Sequence, residues 1–316
     1  MKVLSAIIIV AMLFTSCLPQ NGRIVDAFLD KDRSIPKLLK HETIDNASIR
    51  LIYDEDVTLT EILFSGKELD YSLYGTIFVV PFGETIERGE TVIFSVTAED
   101  DSGNSSKASL SITGKNTAIP DALINEVSIK GTTESPDRIE ILFLESGSMA
   151  GLAVTDGLWG EENHAAILPD ISVEAGDTAV IYWDKKPEST ETIISHGRKG
   201  YIIEGGSDTT LSGTNGTILL WKEREGELAD GIIYTTGESD LADGYGNNRT
   251  KNAASYLIRK GEWEGEAISS SLVTSSRVIA RLPGGPDTNC NDDFFITAAR
   301  ESTFGSENLY IPYEPD

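Results

Sequence analysis

Short apolar runs bounded by turn residues constrain this chain more than any other feature. Thr91-Val92-Ile93-Phe94-Ser95-Val96, Ala179-Val180-Ile181-Tyr182-Trp183 and Ile218-Leu219-Leu220-Trp221 are rich in β-branched and aromatic side chains, and they are too short for buried helices. Gly-, Asn- and Asp-containing segments separate such runs throughout, and glycine alone occurs 29 times. Many short strands with turn signals between them predict β-sandwiches. The length of 316 residues and a hydrophobic content of 40% suffice for about two packed domains. The expected fold is therefore all-β, with two β-sandwich domains in tandem.

The first domain is expected over residues 23–114. Its strand candidates are Ile24–Phe28, Ser48–Tyr53, Glu61–Phe64, Thr76–Val80, Thr91–Ala98 and Ala108–Thr113. Glu99-Asp100-Asp101-Ser102-Gly103-Asn104 lies between two of these, as a hairpin loop should. With its flanking strands this segment resembles the closing hairpin of bacterial immunoglobulin-like domains, which implies a spacer. Residues 115–120, polar at first and stiffened by Pro120, form the expected linker.

Residues 121–316 form the expected second domain. Leu123-Ile124-Asn125-Glu126-Val127 opens it, followed by Arg138-Ile139-Glu140-Ile141-Leu142 and Met149-Ala150-Gly151-Leu152-Ala153-Val154-Thr155-Asp156. Later come Val173–Ile181, Gly216–Trp221 and Ala229–Tyr234, then Ser276-Arg277, Asp287-Thr288, Asp293-Phe294 and Gly305-Ser306-Glu307-Asn308. This ordered series resembles the lamin tail domain, whose segments read approximately I-N-E-V, V-E-L-Y-N, L-S-G-W-x-L-x-D and a closing S-x-x-R, D-T, D-F, P-G-x-x-N. The resemblance implies an immunoglobulin-like sandwich. The pattern departs at Phe143, Leu152, Ser302 and Phe304, and polar insertions such as Glu238–Asn252 lengthen it. Tyr256-Leu257-Ile258 reads as an added edge strand.

At the other end, Lys2 precedes the apolar run Val3–Phe14, and Thr15-Ser16 then lead to Cys17. A basic start, a short apolar stretch and small residues are the layout of a secretory signal. With cysteine at the cleavage point it resembles a bacterial lipoprotein signal. The resemblance implies cleavage before Cys17, diacylglycerol on its thiol, a further acyl group on its amino terminus, and a lipidated tether over residues 17–22. The run is short for a membrane span. Leu18 is not the aspartate that acts as a retention signal in enterobacteria, which favours the outer membrane over the inner.

Charge narrows the partners. Fifty-one acidic side chains stand against 26 basic ones, a formal net charge of −25. Such a surface repels phosphate backbones, and no basic stripe offsets it, so nucleic acid is an unfavourable partner. With Cys17 lipidated, Cys290 has no internal disulfide partner, and its neighbours Asp287, Asp292 and Asp293 disfavour a thiolate.

Catalytic signals are sparse. His41, His164 and His196 lack ligand spacing with one another, and no nucleophile elbow, P-loop or zinc motif occurs. Asp287, Asn289, Asn291 and Asp293 repeat the alternating oxygens that open a calcium-binding loop. Asp292 stands where that loop needs glycine, and Ala298 where it needs glutamate. They are the candidate Ca²⁺ ligands, against a reading in which Asp287 and Asp293 cap turns. Trp159 and Trp263 are either anchors for a partner or partly packed side chains. The expectation is a lipid-anchored cell-envelope protein, binding or scaffolding without catalysis, with no resident cofactor. Its partner would be an envelope protein or glycan. The alternative is a metal-dependent hydrolase, or an accessory to an exported nuclease or phosphatase.

Overall fold

Seventeen consecutive residues, Ser48–Phe64, make one strand whose buried and exposed side chains alternate over most of its length. In the computed structural model, which describes residues 32–237, 245 and 247–315, this strand organises the first of two units. That unit comprises the described residues up to Ile86 together with Thr91–Gly114. Its strands are β1 (Leu38–Asp45), β2 (Ser48–Phe64), β3 (Lys67–Glu68), β4 (Leu73–Pro81), β5 (Thr91–Glu99) and β6 (Ser105–Thr113). They pair in the order β1-β2-β5-β6, with β3 and β4 also on β2.

The expected strands Ser48–Tyr53 and Glu61–Phe64 are thus the two halves of β2. Asp54-Glu55-Asp56 breaks the apolar pattern between them without ending the strand, because the register with β4 skips from Ile52 to Val57 at that point. Both halves feed one core, in which Leu51, Leu59, Phe78 and Phe94 are buried and Phe64 stacks on Phe82 at 4.6 Å. β1 was not legible as a strand, since LLKHETID buries little. Cys17, the tether and Ile24–Phe28 lie outside the described residues, as does part of Glu238–Asn252.

The second unit comprises Glu87–Glu90 and the residues from Lys115 on. Its larger strands are β7 (Ala122–Ser128), β8 (Arg138–Phe143), β13 (Thr178–Tyr182), β15 (Arg198–Glu204), β16 (Gly216–Trp221), β17 (Leu228–Thr235) and β19 (Ile279–Arg281). The short ones are β9 (Gly147–Ser148), β10 (Ala153–Thr155), β11 (Ala165–Ile167), β12 (Ser172–Val173), β14 (Ile193–Ser195), β18 (Ile268–Ser269) and β20 (Phe294–Ile296). A seven-stranded sheet runs β14-β15-β13-β8-β7-β19-β20, a five-stranded sheet runs β11-β10-β16-β17-β18, and β12 pairs with β9. Side chains from both large sheets share one core, including Ile124, Ile141, Ile181, Ile218 and Ile232. The chain is all-β in several sheets and sandwich-like, as expected.

One departure is helical. Asn248–Lys260 is α1, and it contains the predicted edge strand Tyr256-Leu257-Ile258. Thr250, Ala253, Ala254 and Leu257 are buried, a helical spacing that three residues could not reveal. The Asn247 side chain accepts from the Thr250 N–H at 2.8 Å, and Gly261 ends the helix at φ +77°. The helix packs on β16, so that strand is buried throughout. Among the described residues no helix is long and apolar enough to cross a membrane.

Candidate functional site

The second unit brings polar residues from both ends of its sequence into one buried network. A register shift between Ile124 and Glu126 is the reason. Ile124 and Val127 face the core, so the bulge turns Asn125 and Glu126 away from it together. The Glu126 carboxylate accepts from the Thr303 N–H at 3.0 Å, and Glu140 accepts from the Gly305 N–H and from Asn125 Nδ2 at 2.6 Å. Asn308 Nδ2 donates to the Arg281 carbonyl at 2.7 Å. Both glutamates are fully buried. Burial pushes Glu126 up to about 7. Burial first, then the neighbouring Glu126, pushes Glu140 up to about 8, against the pull of the Gly305 N–H and the Asn125 amide.

Arg281 extends this network between the sheets. It pairs with Asp230 of β17 at 2.6 Å, both side chains almost wholly buried, and donates to the Ile124 and Pro286 carbonyls. Asp287 and Asp293 also face Arg281, at 3.6 and 3.8 Å. Of the four candidate Ca²⁺ ligands, the structure brings these two to one guanidinium, which Asp230 also shares. Asp293 also accepts from the Thr288 N–H and hydroxyl, capping the turn, while Asn289 Nδ2 donates to the Gly261 carbonyl. Cys290 is a free thiol beside the Thr288 hydroxyl. The sequence pattern singled out Arg277, whose guanidinium instead lies over the Tyr313 ring at 4.0 Å. The buried arginine is Arg281, four residues on. Its one signal was a charge ending the apolar run Val278-Ile279-Ala280.

His41 is on β1, His196 sits in the β14–β15 turn, and His164 contacts the Gly205 carbonyl at 2.6 Å. Trp263 is core, with its indole N–H on the Glu266 carbonyl. Trp159 is different. With Trp221 and Tyr256 it lines an open hollow of about 470 Å³. The Trp159 and Tyr256 rings lie 6.1 and 5.9 Å from the Trp221 ring, both tilted to it.

Local bonds hold this hollow in shape. The Trp221 indole N–H donates to Thr155 Oγ1 at 2.8 Å, and that hydroxyl donates to the Gly157 carbonyl at 2.6 Å, which fixes the chain entering the Trp159 loop. Two residues of α1 grip the same loop: Arg249 pairs with Asp156 at 3.2 Å, and Asn252 donates to Glu161 at 2.8 Å. Arg224 approaches the Trp159 ring at 5.8 Å, and Lys260 approaches Tyr256 at 5.7 Å. Trp159 stands out in the sequence, but only the helix Asn248–Lys260, which the sequence pattern does not reveal, joins it to Tyr256.

A second cavity, of about 310 Å³, lies above the buried network and is lined by Asn125, Thr178, Arg198 and Asn308 among others. Its two amides are already bonded to each other and to Glu140.

Residues 120–296 match the family model TP_1001_2nd, described as a protein second domain. No curated protein matches the chain. Among solved structures, a DUF4876 family protein from Bacteroides thetaiotaomicron is similar at 11% identity and a TM-score of 0.32, over 86% of this chain and 94% of that one.

Proposed function

The chain belongs to the TP_1001_2nd family over residues 120–296, and we propose, on its sequence layout and on the site described above, that it is a lipid-anchored cell-envelope protein whose second unit is a non-catalytic binding module of lamin-tail type. The observation that carries the binding role is the open aromatic hollow of Trp159, Trp221 and Tyr256. A concave site with aromatic walls, a few placed polar groups and rigid support is the usual form of a ligand pocket. The buried carboxylates serve the other half of this reading. Glu126 and Glu140 are out of reach of solvent, and their oxygens accept from the C-terminal loop, so they clasp the chain rather than await a substrate.

The lamin-tail reading is supported by where its pattern residues lie. Asn125, Glu126, Glu140, Thr288, Asp293 and Asn308 come from separate motifs and join one network through Arg281. The anchor reading is supported by the Lys2 to Cys17 layout. One lipid chain binds a membrane only marginally, whereas the several expected on Cys17 hold it stably.

Detergent-phase partitioning of whole-cell fractions tests the anchor, with protease treatment of intact cells to find the exposed side. Wild type should enter the detergent phase and Cys17→Ala the aqueous phase. Wild type in the aqueous phase would remove the anchor and leave an exported binding protein.

A further inference from the structure

We infer that the hollow formed by Trp159, Trp221 and Tyr256 binds a neutral saccharide. The inference rests on the reading of the second unit as a binding module and names the class of its ligand.

The walls set the first requirement. Trp159 and Tyr256, both half-buried, and the buried Trp221 line an open space of about 470 Å³, within the volume range of small-ligand pockets, roughly 300–1,000 Å³. Aromatic faces carry partial negative charge and prefer an apolar surface with polarised C–H bonds, or a cation. A pyranose ring offers such C–H faces and carries hydroxyls around its edge.

The rim sets the second requirement. Arg224 and Lys260 stand 5.8 and 5.7 Å from the Trp159 and Tyr256 ring centres, so a cationic ligand approaching those rings would meet like charge. Glu225 pairs with Arg224 at 3.9 Å, and Glu161 on the Trp159 loop adds a second carboxylate. A rim of both signs supplies donors and acceptors for hydroxyls, and it favours neither anionic nor cationic polymers. The net charge of −25 further repels polyanions.

The apolar surface on the helix side of the hollow is small for a protein partner. A stable protein interface needs about 800 Å² from each side around an apolar centre. Ile258 is the single large apolar side chain exposed on α1, so no apolar surface extends the hollow along the helix. The Asp156–Arg249 and Glu161–Asn252 ties hold Trp159 in place before any ligand arrives, which lowers the ordering cost of binding.

The test titrates the full chain with neutral linear tetrasaccharides of β-linked glucose, N-acetylglucosamine and mannose. Calorimetry and tryptophan emission are the readouts. At least one saccharide should bind, and Trp159→Ala and Tyr256→Ala should each weaken it about tenfold or more. Arg224→Ala, which removes no core packing, should weaken it less and so keeps the test valid if an aromatic variant melts early. No binding at millimolar concentration, or binding unchanged in all three variants, overturns the saccharide assignment. A parallel capture from envelope extract separates the two readings. An envelope component retained by wild type and lost in Trp159→Ala and Tyr256→Ala would leave the binding module standing with a different ligand. Failure of both arms would remove the module as well.

Discussion

The carboxylate of Glu140, in the middle of β8, accepts a hydrogen bond from the backbone N–H of Gly305, 165 residues further along the chain. Neither residue is on a surface. A buried acid that receives a backbone donor from so distant a segment ties the end of the second unit to its central sheet. Glu140→Ala leaves the Gly305 N–H without its acceptor inside the protein and removes one of the two acceptors of the Asn125 amide. Each loss costs about 1–3 kcal/mol, so the variant should unfold at clearly lower urea, while Glu140→Gln, which keeps an acceptor, should lose less. Equal losses in the two variants would assign the effect to packing instead of hydrogen bonding.

The same acids make stability depend on pH. Burial raises Glu126 to about 7 and Glu140 to about 8 in the folded protein, from an ordinary value of 4.5. The folded state therefore holds these protons more tightly than the unfolded chain. Their contribution is fully present below pH 4.5 and is lost as pH rises through 7 and 8. Unfolding free energy should fall from about pH 4.5 to about pH 8 and level off above, with a limiting slope of about 1.4 kcal/mol per pH unit for each proton involved. The double variant Glu126→Gln/Glu140→Gln should flatten that slope. Asp32, Glu61 and Asp100, whose pKa values are lowered, act with the opposite sign and only at lower pH.

Arg281 and Asp230 join the two sheets through a buried ion pair. Removing one partner strands the other charge, at a cost of about 3–5 kcal/mol. Arg281→Ala should therefore destabilise the second unit severely in chemical denaturation. Replacing both partners by apolar residues, Arg281→Met with Asp230→Leu, should recover part of the loss. A double variant no better than the single one would mean that the Ile124 and Pro286 carbonyl bonds matter more than the pair.

Gly231 of β17 faces Leu257 of α1. A Cβ at that position would stand 2.4 Å from Leu257 Cδ2. Gly231→Ala should lower stability by about 1–3 kcal/mol through overpacking, and Leu257→Ala in the same chain should relieve that clash while opening a cavity of its own. Thermal melts of the two single variants and the double variant would reveal the coupling between the positions.

Strand content was legible because it rests on local chemistry. Thr91–Glu99, Thr178–Tyr182 and Gly216–Trp221 are strands where β-branched and aromatic residues cluster. The network was legible only in part. Asn125, Glu126, Glu140, Asp293 and Asn308 stood in recognisable segments, but nothing in those segments says that they meet. Arg281 was passed over for Arg277 because the two arginines differ in burial, not in residue type. α1 was missed because its signal is spread over thirteen residues whose polar face resembles a loop.

The sequence by itself determined that the chain is built of strands in two regions, that it is strongly acidic, and that it begins with a basic and apolar run ending at Cys17. These are properties of residue type and near-neighbour spacing. Only the tertiary structure decided that Glu140 meets Gly305, that Arg281 and not Arg277 is buried, and that Trp159, Trp221 and Tyr256 share one hollow. Each of these joins residues far apart in the chain, and the partner is set by register, a bulge and the packing of one helix, which no local pattern encodes.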